Sequence, residues 1–298
     1  MIKKKFLAIL MAALVVASTP VYATPYAYTP LTSQNGLSSV IFDTQISGSA
    51  DASLPTVTIA YSVGTVTKTG SATADGVSGD PSIAPITVTA GSSSVIPNDG
   101  TFEVQTTVSF AGVTFTKPGE YVWPITLYAQ GSSSNVPGFS LSTPSPTKYL
   151  HVNIIDIVGD ETNINTNGTL AQSTVYLSNS NEVTDEDTPP DGVDDGKITS
   201  FPAASYGTKS LTINAAVAGN MGDKTQTFDY EVSLTGCNPG TTIEGEEVDN
   251  EGEATLEYND LTHGESFTIE GIPDGAGYTV EQATVEGYST SILVTTGS

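Results

Sequence analysis

Two histidines, one cysteine and nine lysines stand among 33 aspartates and glutamates in a chain of 298 residues that has no arginine. Few of these groups are spaced for catalysis. His151 lies in an alternating apolar run and His263 directly precedes a glycine. Neither is accompanied by a nucleophile elbow, a zinc-ligand spacing or a phosphate-cradling glycine motif. Cys237, in the turn-forming run Gly236 to Pro239, reads as a turn residue rather than a nucleophile, and a lone cysteine excludes an internal disulfide. Asp187, Asp191, Asp194 and Asp195 form a calcium candidate, because Ca²⁺ takes several carboxylate and carbonyl oxygens around a turn. The run lacks the EF-hand spacing, and a solvated acidic loop is the commoner outcome of such a composition. A second acidic stretch, Glu244, Glu246, Glu247, Asp249, Glu251 and Glu253, reads as an exposed, mobile connection. A glycosidase pair stays open by inventory alone. Strand-rich modules with acidic loops are nevertheless more often structural or binding units, so the expectation is a non-enzyme without cofactor or resident metal.

The formal net charge of −24 excludes a basic stripe that could displace phosphate counterions, and with it nucleic-acid binding. It equally disfavours attraction to an anionic membrane surface. Three of the nine lysines, Lys3, Lys4 and Lys5, precede twelve consecutive apolar residues from Phe6 to Ala17, and Val21 and Ala23 place small residues at the −3 and −1 positions of a cleavage site. Residues 1–23 therefore read as a secretory signal peptide. The apolar run is too short for a bilayer that needs ~20 residues. The mature chain is expected outside the cytoplasm, not inserted in a membrane, and with six lysines.

The elements that must position these groups are strands. Val57, Ile59, Tyr61 and Val63 alternate with small or polar residues, as do Tyr121, Trp123, Ile125 and Leu127, then Leu150, Val152 and Ile154, and Phe228, Tyr230, Val232 and Leu234. Period-two alternation between Gly-, Ser-, Asp- and Pro-rich turns such as 97–100 and 273–275 predicts antiparallel β-sandwiches. Pro124 predicts an edge or a bulge for its strand. After a linker at 24–36, one unit runs over 37–207, with the Ser/Gly-rich segment 64–94 as its long loop. A boundary near Tyr206 to Thr208 opens a second unit, 208–298, whose sequence lacks a closing strand.

Two sets of residues resemble a known family. Val113–Leu127, Val136–Ser140 and Tyr149–Ile154 resemble the isopeptide-linkage domain of streptococcal pilins. Leu211–Gly219, Asp223 and Lys224, Phe228–Leu234, His263–Pro273, Tyr278–Gln282 and Gly287–Tyr288 resemble the C-terminal domain of the same Gram-positive major pilins. The resemblance implies an all-β chain of two tandem Ig-like β-sandwich domains. It also implies that a lysine of each first strand bonds covalently to an asparagine of each last strand, with a buried glutamate assisting. Desolvation favours both the neutral amine and the protonated carboxyl that such chemistry needs.

On this sequence those positions are occupied by other residues. In the first unit the lysine falls at Thr44, the glutamate at Leu127 and the asparagine near Ala203. In the second unit the lysine falls at Ala215 and the glutamate at Gln282, or at Glu281 if the register slips by one; the strand that would supply the asparagine lies beyond Ser298. No isopeptide bond is expected in the first unit. Polymerising pilins also present a lysine that a sortase joins to the next subunit, and Lys197 lies close to that place. The resemblance thus implies a secreted cell-surface structural protein of pilin or fimbrial-backbone type. Its partners would be like subunits, or cell-wall peptidoglycan through a sortase. The alternative is a surface adhesin for a host glycan or matrix protein; a hydrolase ranks third.

Overall fold

A computed structural model describes residues 28–69, 76–141, 147–157, 168–181 and 197–294. Residues 1–23 and the acidic run containing Asp187, Asp191, Asp194 and Asp195 lie outside the described residues. Among the described residues there is no α-helix, only a short 3₁₀ turn at Gly131–Asn135, and the regular structure is β-strand. No helix among them is long and apolar enough to cross a membrane.

The strands that carry the argument in the first unit are β1 (Val40–Gly48), β2 (Val57–Val63), β3 (Ile86–Val88), β4 (Thr101–Ser109), β5 (Gly119–Ala129) and β6 (Phe139–Leu141). They are followed by β7 (Lys148–Ile157), β8 (Gly168–Ser178), β9 (Lys197–Ile198) and β10 (Ser200–Tyr206). One sheet runs β8–β7–β5–β2–β3, with β9 and Tyr28–Thr29 added to β8 and Thr67–Thr69 added to β5. The other runs β6–β10–β1–β4 and ends on Ser82–Ile83. β1 is antiparallel to β4 but parallel to β10, with Thr44 opposite Phe201 and Gln45 opposite Pro202.

The two sheets face each other across one apolar core built by the alternation in their sequences. Tyr121, Trp123 and Ile125 on β5, and Leu150 and Val152 on β7, are fully buried. Phe115 packs on Tyr121 at 4.9 Å between ring centroids and edge-on against Trp123 at 6.2 Å. The Trp123 indole N–H donates to Asp80 Oδ1 at 3.0 Å, so the ring is buried without an orphaned donor. Each such side chain contributes about 1.5–3 kcal/mol by leaving water.

Pro124 corrects the edge-strand expectation. β5 lies inside its sheet, paired with β7 on one side. On its other side the partner changes, from Thr67–Thr69 opposite Glu120–Val122 to β2 opposite Ile125–Ala129. Pro124 falls in the gap between these partners, where a strand needs no N–H, while its carbonyl still accepts from Gly64 N at 2.8 Å. The Ser/Gly-rich segment also holds more structure than a loop, since it contributes Thr67–Thr69, Val77–Ser78, Ser82–Ile83 and β3.

Beyond Gly207 come β11 (Thr208–Asn214), β12 (Phe228–Thr235), β13 (Ala254–Leu261), β14 (Ser266–Pro273) and β15 (Gly277–Gln282). β11 pairs with β14, and β12 lies between β13 and β15. These strands close on a separate apolar cluster that includes Val232, Leu234, Leu256, Ile269 and Ile272. Tyr258 of β13 stacks on Phe267 of β14 at 3.6 Å, joining the two sheets.

The acidic stretch after Cys237 is an ordered hairpin rather than an open connection. Thr242–Ile243 pairs with Glu246–Glu247, and Ile243 and Val248 are buried. Asp249 Oδ1 accepts from Glu251 N and Glu253 N, so the carboxylates face water while the apolar positions between them anchor the turn.

The junction between the two clusters is made by short contacts. Gly207 N donates to Gly138 O at 2.8 Å, and Asp274 N donates to Gly207 O at 3.0 Å. Gly138 has φ +74°, and a Cβ there would come within 2.5 Å of Gly207 O, so the approach requires glycine. Asn238 Nδ2 donates to Pro137 O and to the Tyr206 hydroxyl, and burial pushes that phenol up to about 12.

Candidate functional site

The parallel pairing of β1 with β10 brings the first unit's predicted linkage positions together. Thr44 is fully buried in the middle of β1, opposite Phe201. Ala203 is the bulged residue of β10, where the register shifts between Pro202 and Ala204; its side chain is outside the described set. Leu127 of β5 is buried opposite Tyr61 of β2, on the same face of the other sheet. The Tyr61 hydroxyl crosses the core to Thr44 Oγ1 at 2.6 Å.

Three hydroxyls therefore occupy the centre of this constellation. Thr44 Oγ1 is also 2.6 Å from Thr106 Oγ1, and the Tyr61 hydroxyl lies 2.9 Å from the same Thr106 oxygen. Each oxygen can donate once and accept, so a closed ring satisfies all three in a site that excludes water. Burial pushes the Tyr61 phenol up, and the bonds with Thr106 and Thr44 oppose that only in part. Phe201 packs on Tyr61 at 5.5 Å and edge-on against Phe42 at 6.0 Å, which closes the apolar wall. The group contains neither amine nor carboxyl and is suited to clamping two sheets, not to forming an amide.

In the second unit, Ala215 directly follows β11 and is buried; its N donates to Glu265 O and its carbonyl accepts from Gly264 N. Gln282 ends β15 in the other sheet, where its Oε1 accepts from Thr290 at 3.1 Å, and neighbouring Glu281 is exposed. Cys237 is buried, and that burial pushes its thiol up, away from nucleophilic reactivity. His263 Nδ1 accepts from Val217 N at 2.9 Å and so serves a turn. Among the described residues no group of three or more His, Cys, Asp or Glu is placed to hold a metal ion.

Two constellations were not foreseen from the sequence. Lys148 is 7 % exposed and donates from Nζ to Asn179 Oδ1 at 2.5 Å; burial pushes its amine down. Its phase was a readable signal, because residue 148 shares the period-two register of Leu150, Val152 and Ile154, which point into the core.

The second lies around His151, which is fully buried on β7. Its Nε2 is 2.9 Å from Ser180 O, a carbonyl that can only accept, so Nε2 carries a proton. Its Nδ1 lies 2.7 Å from Glu120 Oε1, within hydrogen-bond reach. Tyr176 donates to the same Glu120 oxygen at 2.7 Å and stacks on His151 at 4.6 Å. Lys197 Nζ stands over the Tyr176 ring, 4.9 Å from its centroid. Burial pushes the Glu120 carboxyl up, but the bonds from His151 and Tyr176 and the charges of His151 and Lys197 outweigh it, and the group sits below the ordinary carboxylate value.

Residues 209–298 match a family model described as a domain of unknown function, DUF7601. Over 89 residues, 28 % of its length, the chain is 33 % identical to the pilus tip adhesin Cpa of Streptococcus pyogenes, and it spans about 13 % of the length of that relative. A crystal structure of the major pilin from Streptococcus pyogenes is similar over 84 % of this chain and 83 % of its own, with 18 % identity and a TM-score of 0.47. The T-13 major pilin of the same organism is similar over 84 % of this chain and 85 % of its own, with 16 % identity and a TM-score of 0.44.

Thr44→Val leaves two buried hydroxyls short of a partner and is expected to cost about 1–3 kcal/mol in a urea titration. The triple replacement Thr44→Val, Tyr61→Phe, Thr106→Val removes every member of the ring and is expected to recover most of that loss. The folded Glu120 carboxyl lies below its ordinary 4.5, so its stabilisation is present above that pH and is lost as the pH falls through the lower folded value. Unfolding free energy measured from pH 6 downward is therefore expected to fall more steeply in the native chain than in Glu120→Gln.

Proposed function

We propose that this chain is a structural subunit of a surface fibre of Gram-positive pilin type. It would be exported by the leader at 1–23 and joined to like subunits, or to peptidoglycan, through a sortase. The observation that carries this reading is the stretch of 89 residues that is 33 % identical to a pilus tip adhesin. The geometry of the first unit supports it. A chain pulled at both ends draws on the start of β1 and on the end of β10, and these two strands run side by side in the same direction. Force then acts along the strands and loads their ladder together rather than one bond at a time. Lys197, exposed at the start of β9 and shortly before β10, is the linkage candidate.

The second reading, an adhesin, is favoured by the name of that relative. In either case the role is structural or binding rather than enzymatic, and the first unit's clamp is the hydroxyl ring in place of an amide cross-link.

The intact mass of the purified chain is expected to equal the sum of its residues. A chain lighter by one ammonia would overturn the absence of an amide bond, and Lys148 with Asn179 is the pair to map first. In a host that assembles such fibres, the native protein is expected to give a ladder of denaturant-resistant multimers that Lys197→Ala abolishes. A ladder that persists in K197A removes Lys197 from the role. Absence of any ladder together with saturable binding to a host glycan or matrix protein selects the adhesin.

A further inference from the structure

The cluster under Lys197 is unusual for an exposed strand. Glu120 on β5 and Tyr176 on β8 are polar residues of the two strands that flank β7, fastened through its His151, a fully buried histidine, to the carbonyl of Ser180. Glu120 lies on the face away from the core residues Tyr121, Trp123, Leu150 and Val152, where it partners the buried His151. Both bonds from His151 and Tyr176 fall on Glu120 Oε1, which fixes the carboxylate in one orientation. Its side chain remains 13 % exposed, open to solvent, and Lys197 Nζ stands over the ring of Tyr176, whose hydroxyl donates to that carboxylate.

We propose that Glu120 is the proton acceptor for an acyl transfer to the Lys197 amine, with His151 and Tyr176 as positioning residues that hold its carboxylate. The inference rests on the reading of Lys197 as a linkage lysine and adds the groups that make its amine reactive. The acyl donor is a thioester. The neutral Lys197 amine attacks its carbonyl carbon and a C–N bond forms. The nitrogen of the tetrahedral adduct is far more acidic than a free ammonium, and its surplus proton passes to the Glu120 carboxylate. The C–S bond then breaks, the sulfur leaves as thiolate, and Glu120 returns its proton to that thiolate or to water. Tyr176 contributes a ring face over which the amine waits, and His151 and Tyr176 hold the Glu120 carboxylate aligned while proton transfer occurs.

The test uses the whole chain and S-phenyl thioacetate at limiting concentration, with acetylation of each lysine followed by peptide mass mapping. Lys197 is expected to acetylate several-fold faster than Lys224, which is exposed on a loop. Glu120→Gln is expected to slow Lys197 about tenfold or more while leaving Lys224 unchanged. Added formate is expected to restore the rate at Lys197 in Glu120→Ala, where the truncated side chain leaves room for it, a rescue that a purely structural role for Glu120 would not give. Tyr176→Phe, which keeps the ring and loses the bond to Glu120, is expected to fall between the native chain and E120Q. Equal rates at Lys197 and Lys224 in the native chain, an E120Q rate that equals the native rate, or a Glu120→Ala rate that does not respond to formate, overturn the proposal. No assembly enzyme is present in this assay, so its failure is distinct from loss or persistence of the multimer ladder, which tests the subunit reading itself.

Discussion

The parallel contact between β1 and β10 is the constraint on which the first unit depends. β1 has β4 on one edge and β10 on the other, and from its centre Thr44 reaches across the core to Tyr61 in the facing sheet. One strand thus ties together the beginning of the unit, its end and its second layer. The pairing joins segments far apart in sequence, so the chain must close a long loop before any of these bonds forms, although closure cost grows only slowly with loop length. Topologies dominated by such distant pairings fold slowly. In return, the same pairing places the strand entering the unit and the strand leaving it in shear.

A buried polar group in the middle of a sandwich stabilises only if it is satisfied. The ring of Thr44, Tyr61 and Thr106 meets that condition with contacts of 2.6–2.9 Å. It is a softer fastening than a covalent bond. It fixes which residues of the two sheets lie opposite each other, because a slip of one residue would turn Thr44 out of the core and leave the Tyr61 and Thr106 hydroxyls each short of one partner.

Positive charge is scarce on a chain of net charge −24, and the lysines are placed with care. Lys209 pairs with Asp274 at 2.6 Å beside the junction, an exposed contact worth little in stability. Lys148 is buried against Asn179, and Lys197 stands on Tyr176 beside the Glu120–His151 pair. High net charge in general favours solubility and opposes non-specific association. With so few lysines, an amine offered for chemistry has few competitors.

Alternation alone determined that the chain is all-β and which residues face inward, because burial on one face of a pleated strand demands period two. Tyr121, Trp123 and Ile125, and Phe228, Val232 and Leu234, are buried as that period requires, while Tyr230 of the same set is half-buried. The same period places Lys148 in phase with Leu150 and Val152, a signal the sequence reading did not use. What the sequence could not carry is which strands are neighbours. Pro124 looked like an edge marker, yet it sits within the sheet because two partners happen to meet opposite it. The acidic stretch looked open, yet Ile243 and Val248 pin it as a hairpin. Glu120, His151 and Tyr176 are separated by long stretches of chain, and each alone is unremarkable. They become one site because cross-strand register sets β5, β7 and β8 side by side, and register is decided by the packing of the whole sandwich rather than by any of the three strands.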